Sequence, residues 1–170
     1  MPDPIGAAFI GLPPGYTIGE DLAIKRLSAA HAAALFELIQ RNRSHLTQHG
    51  DYRELVDLDA ATLAARLSLD TEAAFGIFLQ GELIGTVTLI HYQKGVCGLG
   101  YWISSEQTGR GYVGLSCQAL IDLARSHLDV REFWAGITHG NEASIAVVSR
   151  LGFVLERTQP THLSYLLRLD

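Results

Sequence analysis

Apolar positions recur along this chain in two periods, and the switches between them mark its elements. Residues 1–16 follow neither period. They hold four of the five prolines together with Gly6, Gly11 and Gly15, which predicts an irregular lead-in ahead of a single domain over 17–170. Within Thr17–Leu27, Leu22, Ile24 and the stem of Arg26 alternate, so the second half of that segment reads as a strand. Ser28 then stands as N-cap to a helix over Ala29–Gln40, where Leu35, Leu38 and Ile39 share one face. Arg41–Leu58 is polar, holds His45, His49 and Gly50, and reads as a loop or a short broken helix. Helical spacing returns over Asp59–Leu69, with Leu63 and Leu67 four apart.

Strand patterning follows. Phe75–Leu79 and Leu83–Tyr92 flank Gln80-Gly81-Glu82, a hairpin turn, and Gln93-Lys94-Gly95 turns the chain again into Val96–Ile103. Ser104–Gly111 is a loop. Val113–Leu128 places Leu115, Ala119, Leu120, Leu123, Ala124 and Leu128 on a helical face. Glu132–Thr138 is a strand, and Asn141–Leu151 is a helix that Gly152 can end. Phe153–Glu156 and Leu163–Leu169 read as two closing strands around Pro160. The order β-α-α-β-β-β-α-β-α-β-β predicts a mixed α+β fold. Its centre is a mostly antiparallel, twisted sheet of about seven strands with about four helices.

Composition narrows the function. With 170 residues, 48% apolar and 18% charged, the chain can bury a core and is not a disordered segment. Thirteen Lys+Arg against eighteen Asp+Glu leave a net charge of −5 and no basic run, which argues against nucleic acid as a partner. No apolar run reaches membrane-spanning length, and Met1-Pro2-Asp3-Pro4 lacks the basic start of a secretory signal. Cys97 and Cys117 are too few for a disulfide framework and lack metal-ligand spacing. These features predict a cytoplasmic protein without a metal, as a monomer or homodimer.

The chemistry concentrates in Gly109-Arg110-Gly111-Tyr112-Val113-Gly114, between a strand and a helix. Glycine lets backbone approach a ligand, and a helix start offers unpaired N–H groups and a positive dipole end that together hold phosphate. Gly109, Gly111 and Gly114 match G-x-G-x-x-G, but a dinucleotide fold needs that motif after the first strand of a parallel unit, and here three hairpin-linked strands precede it. The G-x-x-x-x-G-K-[ST] motif fits Gly109, Gly114 and Ser116, but Leu115 stands where the lysine is needed.

Glu106-Gln107-Thr108-Gly109-Arg110-Gly111-Tyr112 resembles the acyl-CoA pyrophosphate loop of GCN5-related N-acetyltransferases, whose pattern is [QR]-x-x-G-x-[GA]. Gly100-Tyr101-Trp102-Ile103 is similar to the "GYW" strand of the branch that acetylates ribosomal-protein N-termini. Gly140-Asn141-Glu142-Ala143-Ser144 and Arg150-Leu151-Gly152-Phe153 resemble its "GN-x-x-S … R-x-GF" segment, and Asn42-Arg43-Ser44-His45-Leu46 its "NR-x-H-L" segment. The four lie in register over about residues 20–170. Departures are equally plain. Thr108 holds the [QR] position and Val113 the last [GA] position. Gly98 stands where relatives often carry Glu, and Arg157–His162 is shorter than their acceptor-covering loop.

The resemblance implies acetyl-CoA as donor. Trp102 and Ile103 would flank it, Thr108, Gly109, Arg110, Gly111, Tyr112 and Val113 would hold its pyrophosphate, and Asn141 and Ser144 would meet the pantetheine end. The acceptor would be a primary amine, first a protein N-terminus, then a small molecule such as an antibiotic, polyamine or amino-acid derivative. A non-catalytic acyl-CoA-binding module and a nucleotide-binding enzyme remain as rivals. Acetyl transfer needs a neutral amine and a protonated leaving thiolate. Ser144, in the first turn of its helix, is the candidate for the thiolate, against the alternative that it only helps to cap the helix. The candidate bases are His91, His139, Tyr101 and Glu106, with His139 first because it ends the strand before Asn141. Trp134 reads as a core or groove wall.

Overall fold

The computed structural model describes residues 8–170. Residues 1–7 of the lead-in, Met1-Pro2-Asp3-Pro4 among them, lie outside the described residues, and the stretch from Ala8 to Tyr16 belongs to the fold. Phe9 is buried in the main core, and Gly15–Thr17 forms strand β1 on β2 (Leu22–Arg26). Four short helices come next: α1 (Ala32–Arg41), α2 (Arg43–Thr47), α3 (Arg53–Asp57) and α4 (Ala60–Leu67). The helix expected from Ala29 opens as a 3₁₀ turn over Ala29–His31, where the Ser28 N–H donates to His31 Nδ1 (2.9 Å). Strands β3 (Glu72–Leu79), β4 (Glu82–Gln93) and β5 (Val96–Ile103) form a meander. The turn between β3 and β4 takes only Gln80 and Gly81, both at positive φ (51° and 81°). That is the backbone twist which matches a two-residue hairpin to its strands. Then come α5 (Tyr112–Leu128), β6 (Glu132–Thr138), α6 (Glu142–Arg150), β7 (Val154–Thr158) and β8 (His162–Arg168).

The fold is mixed α+β, with one sheet in the order β1-β2-β3-β4-β5-β6-β8-β7. Among the described residues it has eight strands rather than about seven, because β1 arises inside the proline-rich lead-in, and six helices rather than about four, because Arg41–Leu58 folds into α2 and α3. All neighbours pair antiparallel except β5 and β6. These run parallel and pair over three residues only, Val96–Gly98 against Glu132–Trp134. Past Gly98, β5 stays with β4 to Ile103 and leaves β6, so the sheet splits at its middle.

Each face of the sheet carries its own core. Strand residues alternate between faces, and Tyr101 and Trp102 illustrate the result. Tyr101 packs on the cluster of Ile24, Phe75, Ile77, Leu120, Phe133 and Val148 that α5 and α6 cover. Trp102 lies in the cluster of Leu27, Leu35, Ile39, Val56 and Leu63 that α1 to α4 cover. Among the described residues no helix is long and apolar enough to cross a membrane.

Candidate active site

The split in the sheet opens into a cleft of about 820 Å³. One wall is the end of β5 (Tyr101, Trp102, Ile103), the loop after it and the first turn of α5. Opposite stands α6, with Asn141, Ser144, Val147 and Arg150. Across the cleft lie α2 and the turn into α3, with His45, Gln48, His49, Asp51 and Tyr52. The cleft therefore joins the two layers of the molecule through the gap between β5 and β6.

The cradle is made of backbone. Gly109 and Gly111 have φ of 75° and 82°, the left-handed region that residues with a Cβ enter only at a cost. Gly111 is the N-cap of α5. The first intrahelical bond runs from the Leu115 N–H to the Gly111 carbonyl (3.1 Å), so the N–H groups of Tyr112, Val113 and Gly114 have no acceptor within the helix. A Cβ added at Gly109, Gly111 or Gly114 would meet no atom within 4 Å. Free donors that face open space at a helix start fit a pyrophosphate. Thr108 and Val113 also line the cleft. Arg110, expected with them, is exposed and does not. Gln107, one place before the expected position, lines the cleft with a buried Oε1 that has no hydrogen-bond partner, an acceptor left for a ligand.

Asn42 holds the loop in place. It is almost fully buried, donates to the Leu38 carbonyl (2.9 Å), and accepts from the Ser105 N–H (2.9 Å) and Ser104 Oγ (3.3 Å). Arg43 donates to the Val56 carbonyl (2.7 Å) and pairs with Asp57. The Asn42-Arg43 motif thus pins α2 and α3 against the loop that precedes the cradle.

At the α6 wall the Asn141 side chain accepts from the Ser144 N–H (3.2 Å), so Asn141 is the cap. Tyr101 Oη donates to the Ser144 carbonyl (3.0 Å). Both backbone groups of Ser144 are held while its residue faces the cleft. Burial pushes the Tyr101 phenol well above its ordinary range, so it stays protonated and acts as a donor, not a base. Tyr52 is pushed up in the same way, first by burial and then by the Asp51 charge, and its hydroxyl donates to the Tyr101 carbonyl (2.7 Å). Tyr52 has φ 57°, a conformation that costs a residue with a Cβ roughly 1–3 kcal/mol and collects at functional sites.

The other candidate bases lie elsewhere. His139 is exposed, has its Nε2 2.6 Å from the Gln159 carbonyl, and does not line the cleft. His91 pairs with Cys97 between β4 and β5 and sits edge-on to Phe9, and Glu106 is exposed outside the lining. Trp134 carries the Arg157 guanidinium over its ring (5.8 Å) away from the cleft. At Gly98, an added Cβ would lie 2.5 Å from Tyr92 Oη, so the tyrosine fills the space of a larger side chain there. Burial raises both cysteines, Cys97 to about 11, which leaves them unreactive thiols at neutral pH.

Sequence reasoning missed the opposite wall. Asp51 Oδ2 accepts from Thr138 Oγ1 (3.0 Å) at the end of β6. Beside this wall a second cavity of about 180 Å³ lies on the α1–α4 side, with Tyr52, Tyr101 and Trp102 shared between the two.

Residues 21–154 match the family model described as "Acetyltransferase (GNAT) domain". YdaF of Bacillus subtilis (strain 168), assigned as a ribosomal N-acetyltransferase, is 30% identical over 151 residues, 82% of this chain and 81% of its own. The ribosomal-protein-serine acetyltransferase of Escherichia coli (strain K12) is 26% identical over 147 residues, 82% of each chain. Among solved structures, RimL, a ribosomal L7/L12 alpha-N-protein acetyltransferase in complex with coenzyme A, superposes with a TM-score of 0.82. It is 22% identical and covers 91% of this chain and 97% of its own, a likeness of fold. With its cradle, its split sheet and a family match over most of its length, the chain belongs to the GNAT family of acetyl-CoA-dependent acetyltransferases.

Proposed function

We propose that the protein transfers the acetyl group of acetyl-CoA to the α-amine of a protein or peptide N-terminus, by direct attack within a ternary complex. The observation that carries this reading is the single cleft through the β5–β6 gap, with a phosphate cradle in one layer and a polar wall in the other. Two substrates entering from opposite layers meet beside Ser144. The name of the Escherichia coli relative, a ribosomal-protein-serine acetyltransferase, supports a protein acceptor.

The N–H groups of Tyr112 to Gly114 and the turns at Gly109 and Gly111 hold the pyrophosphate. Tyr101 and Asn141 fix Ser144 so that its hydroxyl serves the departing sulfur. Bound there, acetyl-CoA supplies an activated carbonyl carbon: the amine nitrogen bonds to that carbon and gives up a proton, the carbon–sulfur bond breaks, and the thiolate takes up a proton. The amine must be neutral when it attacks. An α-amine with a pKa near 7.7–8.0 is about one-tenth neutral at pH 7, whereas lysine near 10.4 is below about a thousandth. A cleft without His139 or a long acceptor loop over it suits the α-amine.

The test has two arms. A thermal-shift series with acetyl-CoA, CoA and NAD(P) should give stabilisation by the first two alone, since a ligand of the folded state raises its melting point by mass action. Thiol release should then be followed with peptides bearing free α-amines and with polyamines, amino-acid derivatives and aminoglycosides. Turnover on peptides supports the reading. Turnover on small amines alone assigns the other acceptor class, CoA binding without turnover on any amine assigns a binding module, and stabilisation by NAD(P) alone assigns a nucleotide enzyme.

A further inference from the structure

The cleft contains one carboxylate. Among the described residues that line it, Asp51 is the only Asp or Glu, and it stands on the wall facing the cradle. It comes from the turn between α2 and α3, just before the strained Tyr52, and is tied across to β6 by the Thr138 hydroxyl. That bond uses Oδ2 and leaves Oδ1 without a protein partner among the described residues. The titratable and charged groups that share the cleft are His45, His49, Tyr52, Tyr101, Tyr112 and Arg150. Tyr52 beside Asp51 and Tyr101 are kept neutral, so neither adds a second negative charge to the site.

We propose that Asp51 is the acceptor anchor: its carboxylate binds the incoming α-amine as the ammonium ion and sets it against Ser144. A carboxylate partly withdrawn from water, in a cleft whose one permanent cation among the described residues is Arg150 on α6, attracts a cation more strongly than it would in bulk water. Most of an α-amine is still protonated at neutral pH, so the charged form is the one captured first, and it loses that proton to solvent before its nitrogen attacks. The Thr138 bond fixes the carboxylate, and the fixed carboxylate fixes the amine. This assignment rests on the proposed function and adds to it the group that recognises the substrate.

Asp51→Asn is the informative variant, because the amide oxygen can still accept from Thr138 while the charge is gone. Acceptor binding is measured by calorimetry on the CoA complex, with a peptide that has a free α-amine and with its analogue carrying a hydroxyl in place of the amine. The wild type should favour the amine by about tenfold or more, and Asp51→Asn should bind both alike, with CoA affinity unchanged. Asp51→Glu, which keeps the charge, should restore part of the preference. In turnover, wild-type acceptor KM should rise as pH passes the amine's own pKa and the cation disappears, and Asp51→Asn should flatten that rise. Equal preference for the amine in wild type and Asp51→Asn, or an equal loss for both peptides, would overturn the assignment. The binding arm needs no turnover, so its failure is distinct from failure of the acetyltransferase reading.

Discussion

The two sides of the cleft are built from different materials. On the proposed reading the donor side is backbone: turns at Gly109 and Gly111 with positive φ, and the bare N–H groups of the first turn of α5. On the same proposed reading the acceptor side is side chain: His45 on α2, and His49, Asp51 and Tyr52 in the turn into α3, held by Asn42, Arg43 and the Thr138 bond. Backbone recognition tolerates few substitutions, because it depends on φ and on the absence of a Cβ. Side-chain recognition can be rebuilt residue by residue. One half is therefore suited to one fixed donor and the other to a variable acceptor.

This contrast breaks most visibly at Gly111. Gly111→Val forces a β-branched residue into the left-handed region, at a cost of at least roughly 1–2 kcal/mol, and puts its methyl groups in the open space of the cradle. CoA affinity, read by calorimetry on the folded variant, should fall by about tenfold or more. Unchanged affinity would remove the cradle assignment.

Ser144→Ala should lower kcat roughly tenfold with little change in acceptor KM, since a hydroxyl that serves the departing sulfur acts mainly in the transition state. The cap belongs to Asn141 and the Ser144 carbonyl to Tyr101, so the variant should keep its melting temperature. Asn141→Ala is the converse. It removes the cap and should cost about 1 kcal/mol in denaturant unfolding. Loss of stability in Ser144→Ala with intact kcat would reverse the two roles.

Alkaline pH should weaken the fold through both layers at once. Tyr52, Tyr101, Cys97 and Cys117 all have pKa values raised by burial. The stability of their neutral forms is fully present below the unfolded values, about 8.5 for Cys and 10 for Tyr. It is lost as pH rises toward and through the folded values, with Cys97 at about 11. Urea midpoints should hold near pH 7–8 and fall by pH 10.5. A flat profile over that range would mean these groups are open to water. The smallest expected effect is His139→Gln, which should leave kcat/KM and its pH profile unchanged. The inflection should instead track the pKa of the acceptor amine. A fixed inflection near 6–7 that His45→Gln or His49→Gln abolishes would place a base on the acceptor wall.

The same contrast decides what the sequence reveals. The meander was legible because Gln80-Gly81 carries its turn chemistry locally, and α5 because apolar residues recur at helical spacing over four turns, although Leu115, expected on that face, is exposed and Ser116 is buried in its place. The positive-φ turns at Gly109 and Gly111, on which the proposed cradle rests, were legible for a related reason: such a turn is written in glycine. The acceptor wall was not. Helices α2 and α3 are too short to establish a period, and their order comes from tertiary contacts such as Asn42 with Ser105. Asp51 meets Thr138 across 87 positions of sequence, and nothing local marks either residue. The reverse error is His139, whose place at the end of β6 suggested the cleft, while its ring turns to the Gln159 carbonyl. Strand β1 was hidden because its three residues sit among prolines and lie on β2 alone.

The most direct measurement uses one peptide that carries a free α-amine and an internal lysine. It is incubated with the protein and acetyl-CoA at pH 7, and the modified residue is located by fragmentation mass spectrometry. The account predicts one acetyl group, on the α-amine, with stoichiometric release of CoA thiol. Acetyl on the lysine, or no transfer while acetyl-CoA is bound, would contradict it.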